Sequence, residues 1–425
     1  MSSNKKIYGI AMISKIAITL LGLVTSALIN RMLGVELKGE YAYIINCVTI
    51  TLAVLSIGLG QTYSTYRRKY GREILGTFVG LSLIQTLITL IIFIIAFISK
   101  ANFYICAVGL LSILSVLKNN ILYLAAIEDI KKRDTNNIKY KIIYAIVVTI
   151  AYICGMKSLE KMLCIYILED TIIVIGTFLS YKFRPSFKFL KENHISVLKI
   201  YKYGFLSMLM LLMMTLNYNL NTIFLKNMAS SRSVGLYSVA VSLANMLWLI
   251  PDAFKDVLFN KTSKKDSIQE IVTVTKYSIY FSTMVVIGFA ILGKPFIRIM
   301  YGEEFLDSYG VTLIMFVGCI SMVIYKLIHP LYIAKGKQWK IFCILTLSVI
   351  TNIIMNSFMI YKFDIYGAAM TAVFAYSICS VIFLVNFCRD YNIKYREFIL
   401  INKQDIQRIK DIRTFIKNKM FKARN

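Results

Sequence analysis

Charged residues are scarce in this chain of 425 residues, at 17% of the sequence. Soluble domains carry about 25% charged residues, whereas hydrophobic residues here reach 58% and the mean hydropathy is +0.66. The length alone would suggest about three soluble domains, but that estimate does not apply to a chain made almost wholly of apolar runs. The composition therefore argues against an ordinary soluble enzyme or binding domain.

The sequence also lacks the motifs of the common soluble enzymes. It has no G-x-x-x-x-G-K-[ST] phosphate loop, no H-E-x-x-H pair and no nucleophile elbow, and its only histidines are His194 and His329. None of the eight cysteines forms a C-x-x-C pair, so neither a metal site nor a disulfide framework is indicated. We therefore predict no catalytic residue, no metal and no cofactor, and we do not expect an enzyme.

Long apolar runs dominate what is present. Residues 74–99 contain no charge and exceed the roughly 20 residues that a helix needs to cross a bilayer. These runs do not alternate as barrel strands do, and backbone groups in lipid must be satisfied internally, so the runs are predicted to be helices. Twelve spans are predicted, at 8–30, 41–64, 74–99, 103–126, 141–156, 162–181, 204–225, 233–254, 271–292, 310–334, 341–361 and 367–388.

The net charge of +27 has a topological explanation. When the loops are assigned alternately to the two faces, basic clusters such as 67–72 and 131–133 fall on one face together with both chain ends. Because cytoplasmic loops accumulate Lys and Arg, we expect both termini in the cytoplasm and an even number of spans. No nucleic acid is needed to explain the charge.

Four regions are predicted: a six-helix lobe at 1–183, an interfacial linker helix at 184–203, a second six-helix lobe at 204–388 and a basic cytoplasmic tail at 389–425. The amphipathic, basic linker and tail suggest attraction to anionic membrane lipids, although a merely solvated tail explains its charge equally well. The two lobes carry a faint repeat, because Gly39-Glu40-Tyr41 and Gly235-Leu236-Tyr237 open the second span of each.

Ionisable residues within spans are costly unless they face water or a partner. Lys15, Lys118 and Lys326 lie in spans one, four and ten, and the topology places all three in the cytoplasmic half. Together with Asn217 and Asn221 of span seven, they are predicted to form an anion-binding level in the lumen. The alternatives are snorkelling or pairing for the lysines and interhelical hydrogen bonding for the asparagines.

Glu169 and Asp170 are adjacent carboxylates in span six, which the topology places in the outer half. Neighbouring residues on a helix point about 100° apart, so at most one should face the lumen squarely. We predict that this pair couples transport to a proton or sodium gradient. The alternative is that an acid of the pair binds a lysine.

Several short motifs resemble those of a known family. They are Arg31-Met-Leu-Gly34…Gly39-Glu-Tyr41-Ala42, Leu247-Trp248-Leu249-Ile250-Pro251, Lys294-Pro-Phe-Ile…Met300-Tyr301-Gly302-Glu303-Glu304-Phe305 and Asn352…Asn356…Tyr366-Gly367-Ala368-Ala369. In this order they resemble polysaccharide flippases, the Wzx-like O-antigen and capsule repeat-unit branch of the multidrug, oligosaccharidyl-lipid and polysaccharide exporter superfamily.

The resemblance implies two six-helix lobes arranged as an inverted V with pseudo-two-fold symmetry, in a bacterial cytoplasmic membrane. It implies an undecaprenyl-pyrophosphate-linked oligosaccharide as substrate, moved from the inner to the outer leaflet, and leaves room for polymerase or assembly proteins as partners. Three alternatives remain: an ion-coupled multidrug antiporter of the same superfamily, a membrane enzyme of polysaccharide assembly, and a non-transporting scaffold. The basic lumen disfavours the antiporter, and the short outer loops disfavour the enzyme.

Overall fold

The computed structural model describes residues 2–99, 102–262 and 268–400, and it describes side chains from residue 17 onward except in 256–262, where only Leu258 is included. All regular structure in these residues is helical. The predicted tail, 389–425, is therefore described only as far as Leu400. Within this tail α13 ends at Tyr391, and a short 3-10 turn, Tyr395–Phe398, follows.

Six α-helices form the N-terminal half, which we call the N lobe. They are α1 (Ser2–Leu55), α2 (Leu59–Tyr70), α3 (Leu75–Ser99), α4 (Phe103–Glu128), α5 (Ile130–Ile153) and α6 (Leu159–Tyr181). Helix α1 contains the first predicted span and most of the second, because the chain leaves helical geometry at Gly34, where φ is 66° and ψ is −179°. An L side chain would be strained there, so glycine makes this change of direction possible.

The C-terminal half, which we call the C lobe, follows a short linker helix, α7 (Lys188–Glu192). Its helices are α8 (Val197–Met228), α9 (Ser231–Asn245), α10 (Leu249–Thr262), α11 (Ile268–Met300), α12 (Ser308–Ala334) and α13 (Gln338–Tyr391). Helix α13 again holds two predicted spans, separated at Asp364, where φ is 47°. Helices α9 and α10 are joined by a 3-10 turn at Met246–Trp248 and together make span eight.

The structure supports a multi-pass membrane protein. By length and composition, eight helical segments of the described residues could cross a membrane. The segment Ala17–Ser99 contains most of the first predicted span and all of the second and third, and Gln338–Tyr391 contains the eleventh and twelfth. The predicted fifth span belongs to α5 and is not among the eight, because the first half of α5 carries Lys131, Lys132, Arg133, Lys139 and Lys141.

The linker differs from its prediction. One interfacial helix was expected over 184–203, but the structure has the five-residue α7 and then a break before α8 begins at Val197. His194 adopts a left-handed conformation with φ of 47°, and Ser196 takes the extended conformation of a helix N-cap. These two residues end one helix and start the next, which amphipathic spacing alone does not reveal.

The buried core forms separate clusters. The largest lies mainly in the C lobe and is built around large aromatic side chains such as Trp248, Tyr376 and Phe383. Two smaller clusters lie mainly in the N lobe, one around Ile44 and Val148. The other includes Ile200 of α8, which is fully buried beside N-lobe residues. The beginning of α8 is therefore anchored beneath the N lobe.

Candidate functional site

The two lobes meet through a reciprocal pair of glycines. A methyl group on Gly39 would lie only 1.8 Å from the carbonyl oxygen of Ser231, and one on Gly235 would lie 2.0 Å from that of Val35. Each glycine thus abuts the residue four positions before the other, as expected of a self-complementary contact about a two-fold axis. The faint G-x-Y repeat of the sequence corresponds to this contact between α1 and α9.

Polar contacts surround these glycines. The Glu40 carboxylate accepts hydrogen bonds from Lys226 and Ser231 of the C lobe, and from the Tyr104 hydroxyl of the N lobe at 2.6 Å. Arg31 donates to the carbonyl oxygens of Ile299 and Met300, at 2.5 and 3.1 Å. We call these contacts, together with Gly39 and Gly235, the outer seal, because the predicted topology places them outside.

A cavity of about 740 Å³ lies between α1 and the helices α9 and α10. Arg133 of the N lobe and Asp252 and Lys255 of the C lobe are its charged lining residues. Thr19, Ser26, Ser242 and Asn245 add hydrogen-bonding groups to the wall. We call it the charged cavity.

Lys326 reaches the charged cavity through Asp252. Its Nζ lies 2.9 and 3.1 Å from the two carboxylate oxygens of Asp252, and 4.3 Å from the centre of the Trp248 ring. Lys255 Nζ lies 3.8 Å from the same carboxylate. Among the described side chains, two lysines therefore share this one acid, which gives these three residues together a net positive charge. On the N lobe, Arg133 pairs at 2.5 Å with its neighbour Asp134.

A second cavity of about 720 Å³ lies between α2 and α4 of the N lobe and α8, α12 and α13 of the C lobe. Among the described residues, its lining contains no Asp, Glu, Lys or Arg. It is rich in groups that hydrogen-bond or stack: Gln61, Ser64, Thr65, Tyr123, Tyr203, Ser207, Tyr325, His329 and Gln338. His329 stacks on Tyr325 with ring centres 4.9 Å apart. We call this the uncharged cavity.

Lys118 is in contact with an acid, although few acids are expected at the level of the three lysines. Its Nζ lies 2.5 Å from Asp170 Oδ1, and Ser115 donates to the other carboxylate oxygen at 2.7 Å. Glu169 pairs in turn with Lys141. The prediction that the acids lie nearer the outside than Lys118 is therefore wrong, because helix packing brings span six level with span four. Both carboxylates therefore pair with a lysine, which is the alternative to ion coupling given above.

Asn217 and Asn221 lie inside the C lobe, with 0% and 1% of their surface exposed. Asn217 donates to Ser348 at 2.7 Å, and Asn221 donates to the Tyr237 hydroxyl at 2.8 Å. Asn356 completes the network by donating to Asn221. Neither asparagine lines these two cavities, and their contacts fit the interhelical alternative.

Lys15, the remaining residue predicted to line the lumen, belongs to α1, but the structure does not describe its side chain. Conversely, the sequence analysis did not select Arg133, Asp252 or Lys255 as lumen residues. Asp252 could have been found as an ionisable residue within span eight. Arg133 and Lys255 lie at span ends, where basic residues are common for topological reasons alone.

Comparison with known proteins gives one family. The model of the polysaccharide biosynthesis protein family matches residues 6–251, more than half of the chain. No match was found among curated proteins.

Solved structures share the fold over most of the chain. The lipid II flippase MurJ, in an inward closed conformation, superposes with a TM-score of 0.68 at 16% identity, over 89% of this chain and 87% of that one. The MATE transporter VcmN of Vibrio cholerae has a TM-score of 0.62 at 13% identity, over 92% and 97%. A transporter of the MOP superfamily from Pyrococcus furiosus has a TM-score of 0.58 at 12% identity, over 90% of this chain and 94% of that one.

These structural relatives are flippases and transporters rather than enzymes. At 12–16% identity, these likenesses show a shared fold. The chain belongs to the polysaccharide biosynthesis protein family.

Proposed function

We propose that this protein moves undecaprenyl-pyrophosphate-linked oligosaccharide repeat units from the inner to the outer leaflet of a bacterial cytoplasmic membrane. The observation that carries the proposal is the positive cluster at the charged cavity: Asp252 and Lys255 line the cavity, and Lys326 behind them shares the carboxylate of Asp252 with Lys255. Arg133 adds a guanidinium from the other lobe. A pyrophosphate is a compact anion that such a wall attracts.

The uncharged cavity suits the sugar part of the same substrate. Each hydroxyl left without a partner in hydrocarbon costs several kcal/mol, and this cavity offers hydroxyl, amide and imidazole groups in exchange. Tyr123, Tyr203 and Tyr325 add aromatic surfaces. The two cavities together thus provide a positively charged and a neutral polar environment, which matches a phosphorylated glycan.

Alternating access accounts for the transfer between leaflets. The outer seal joins the lobes at the predicted outer face through Gly39 and Gly235, while Arg133 and Lys255 line a cavity near the cytoplasmic ends of α5 and α10 in that topology. We infer that substrate binds with the outer seal closed and leaves after it separates. Rocking of two lobes about a fixed site is a common transporter motion.

A multidrug antiporter is the second candidate, favoured by the fold shared with MATE transporters. A cationic drug would need an acid that is free to pair with it, yet Asp252 already binds Lys326. The proposed coupling role of Glu169 and Asp170 also requires a carboxylate that is free to bind a cation. A proton or sodium ion would have to compete with Lys141 or Lys118 for these carboxylates.

Changing Arg133 and Lys255 to Gln should reduce export of surface polysaccharide. Loss of a charged hydrogen bond costs about 1.5–3 kcal/mol, so we expect about a tenfold loss or more from each change and accumulation of the lipid-linked precursor. Complementation of a deletion strain, with precursor quantified by mass spectrometry, gives the measurement. Lys131→Gln removes an exposed charge two residues from Arg133 and should leave export unchanged. Normal export by the Arg133/Lys255 double variant at normal abundance would contradict the proposed anion site.

A further inference from the structure

A basic cleft of about 710 Å³ opens between the end of α2 and the start of α8. Lys69, Lys199 and Lys202 line it together with His194, and no Asp or Glu of the part of the chain that the structure describes lines it. All three lysines are exposed, and the predicted topology places them at the cytoplasmic surface of the membrane. We call this feature the cytoplasmic cleft. It is separate from the charged cavity and shares none of its lining residues.

Aromatic side chains hold the walls of the cytoplasmic cleft. The ring of Tyr66 packs edge-on against Tyr203 at 6.4 Å and stacks with Tyr70 at 5.9 Å, and Tyr70 packs edge-on against Phe189 at 6.0 Å. This ladder joins α2 to α7 and α8, so the lysines project from a packed surface. Tyrosines combined with lysines are typical of the membrane interface, where lipid headgroups lie.

The first turn of α8 contributes to the same cleft. Ser196 is its N-cap residue and lines the cleft, and the Ser196 side chain makes no capping hydrogen bond. The positive end of the 32-residue helix dipole therefore lies at the cleft beside Lys199. A helix N-terminus combined with lysines suits a phosphate group, because both the amide dipoles and the ammonium groups favour negative charge.

Two neighbouring features indicate that the phosphate belongs to a lipid. Thr65 and Tyr203 line both the cytoplasmic cleft and the uncharged cavity, so the cleft adjoins the space between the lobes. Another side of α8, through Val197 and Tyr201, borders a groove of about 630 Å³ whose walls are almost entirely apolar, with Ile88 among them. A lipid at this position would meet basic groups and apolar surface around the same helix.

We propose that the cytoplasmic cleft binds the phosphate group of an anionic phospholipid of the membrane, at a site separate from the transported substrate. Lys69, Lys199 and Lys202 contact the phosphate oxygens, and the apolar groove accommodates the chain. This role does not require transport. A protein that binds lipid phosphate here but flips no lipid-linked oligosaccharide would refute the proposed function and leave this inference intact.

Native mass spectrometry of the full-length protein in neutral detergent tests the inference. The probes are phosphatidylglycerol, phosphatidylcholine, geranylgeranyl pyrophosphate and inorganic pyrophosphate. We expect the wild-type protein to bind phosphatidylglycerol more tightly than phosphatidylcholine and geranylgeranyl pyrophosphate, and a preference for geranylgeranyl pyrophosphate would overturn the assignment to a phospholipid. The triple variant Lys69→Gln, Lys199→Gln, Lys202→Gln should bind phosphatidylglycerol at least about tenfold more weakly than the wild type does.

The matched control removes three exposed lysines that lie outside the cleft, through Lys131→Gln, Lys139→Gln and Lys188→Gln, and should bind as the wild type does. A triple arginine variant of the cleft should retain binding, which separates loss of charge from loss of folding. Equal binding by the cleft and control variants would overturn the inference. Binding of inorganic pyrophosphate as tight as that of phosphatidylglycerol would also overturn it, because the site would then recognise free phosphate.

Discussion

Replacing Gly39 with alanine should open the outer seal and reduce export at least tenfold. The new methyl group would lie 1.8 Å from the carbonyl oxygen of Ser231, a backbone atom that no side-chain rotation can move away. Because this contact joins two lobes rather than packing one core, the lowest-cost response is separation of the lobes at that face. Gly235→Ala should act in the same way, since its methyl group would lie 2.0 Å from the carbonyl oxygen of Val35.

A cysteine at Ser26, which lines the charged cavity, reports on this change. In a cysteine-free background, a membrane-impermeant maleimide added from outside should label it faster when Gly39 is alanine. Gly288→Ala is the control, because its methyl group would meet nothing within 4 Å. Unchanged labelling and normal export by both interface variants would show that the outer seal does not close the transport path.

Replacing Lys118 with methionine should destabilise the protein by about 3–5 kcal/mol, the usual result of removing one partner of a buried ion pair. Asp170 has only 1% of its side chain exposed and would keep just the hydrogen bond from Ser115. Adding Asp170→Asn should restore much of the loss, since no uncompensated charge then remains. Thermal unfolding in detergent and abundance in the membrane measure both effects.

The pair Lys188 and Glu192 gives a control, with a separation of 3.8 Å and 81% and 57% of the side chains exposed. Such exposed pairs contribute about 0–1 kcal/mol, so Lys188→Met should change stability little. Equal effects of the Lys118 and Lys188 changes would contradict the buried-pair account. If the stable Lys118→Met, Asp170→Asn protein exports normally, the pair is structural, whereas a loss of export supports the predicted role of Lys118 in the lumen.

Most of the helices could be predicted from the apolar runs of the sequence. The continuous run 74–99 predicts the bounds of α3 almost to the residue. In lipid, a single segment can satisfy all its backbone hydrogen bonds only as a helix. The G-x-Y repeat predicts equivalent positions in two lobes, and the contact between Gly39 and Gly235 has that symmetry. The break between α7 and α8 could not be predicted, because it depends on a left-handed histidine that amphipathic spacing does not encode.

The candidate site was less predictable, because it depends on how helices are rotated and offset. Counting residues from the span ends placed Asp170 nearer the outer face of the membrane than Lys118, but the two side chains are in contact. Helical spacing put Asn217 and Asn221 on one face without showing whether that face meets the lumen or the lobe interior, and their partners lie within the C lobe. Lys255 lies at a span end, where topology alone explains a basic residue, so the sequence gives no reason to select it.

Transfer of a lipid-linked oligosaccharide across a synthetic bilayer tests the central claim most directly. The purified protein would be reconstituted into vesicles with a fluorescent polyprenyl-pyrophosphate oligosaccharide, and exposure at each leaflet would be followed with an impermeant quencher. We predict protein-dependent transfer that falls when Arg133 and Lys255 are changed to Gln, with no transport of a cationic dye under an imposed proton or sodium gradient. Gradient-driven dye transport without oligosaccharide transfer would contradict the account and identify a multidrug antiporter instead.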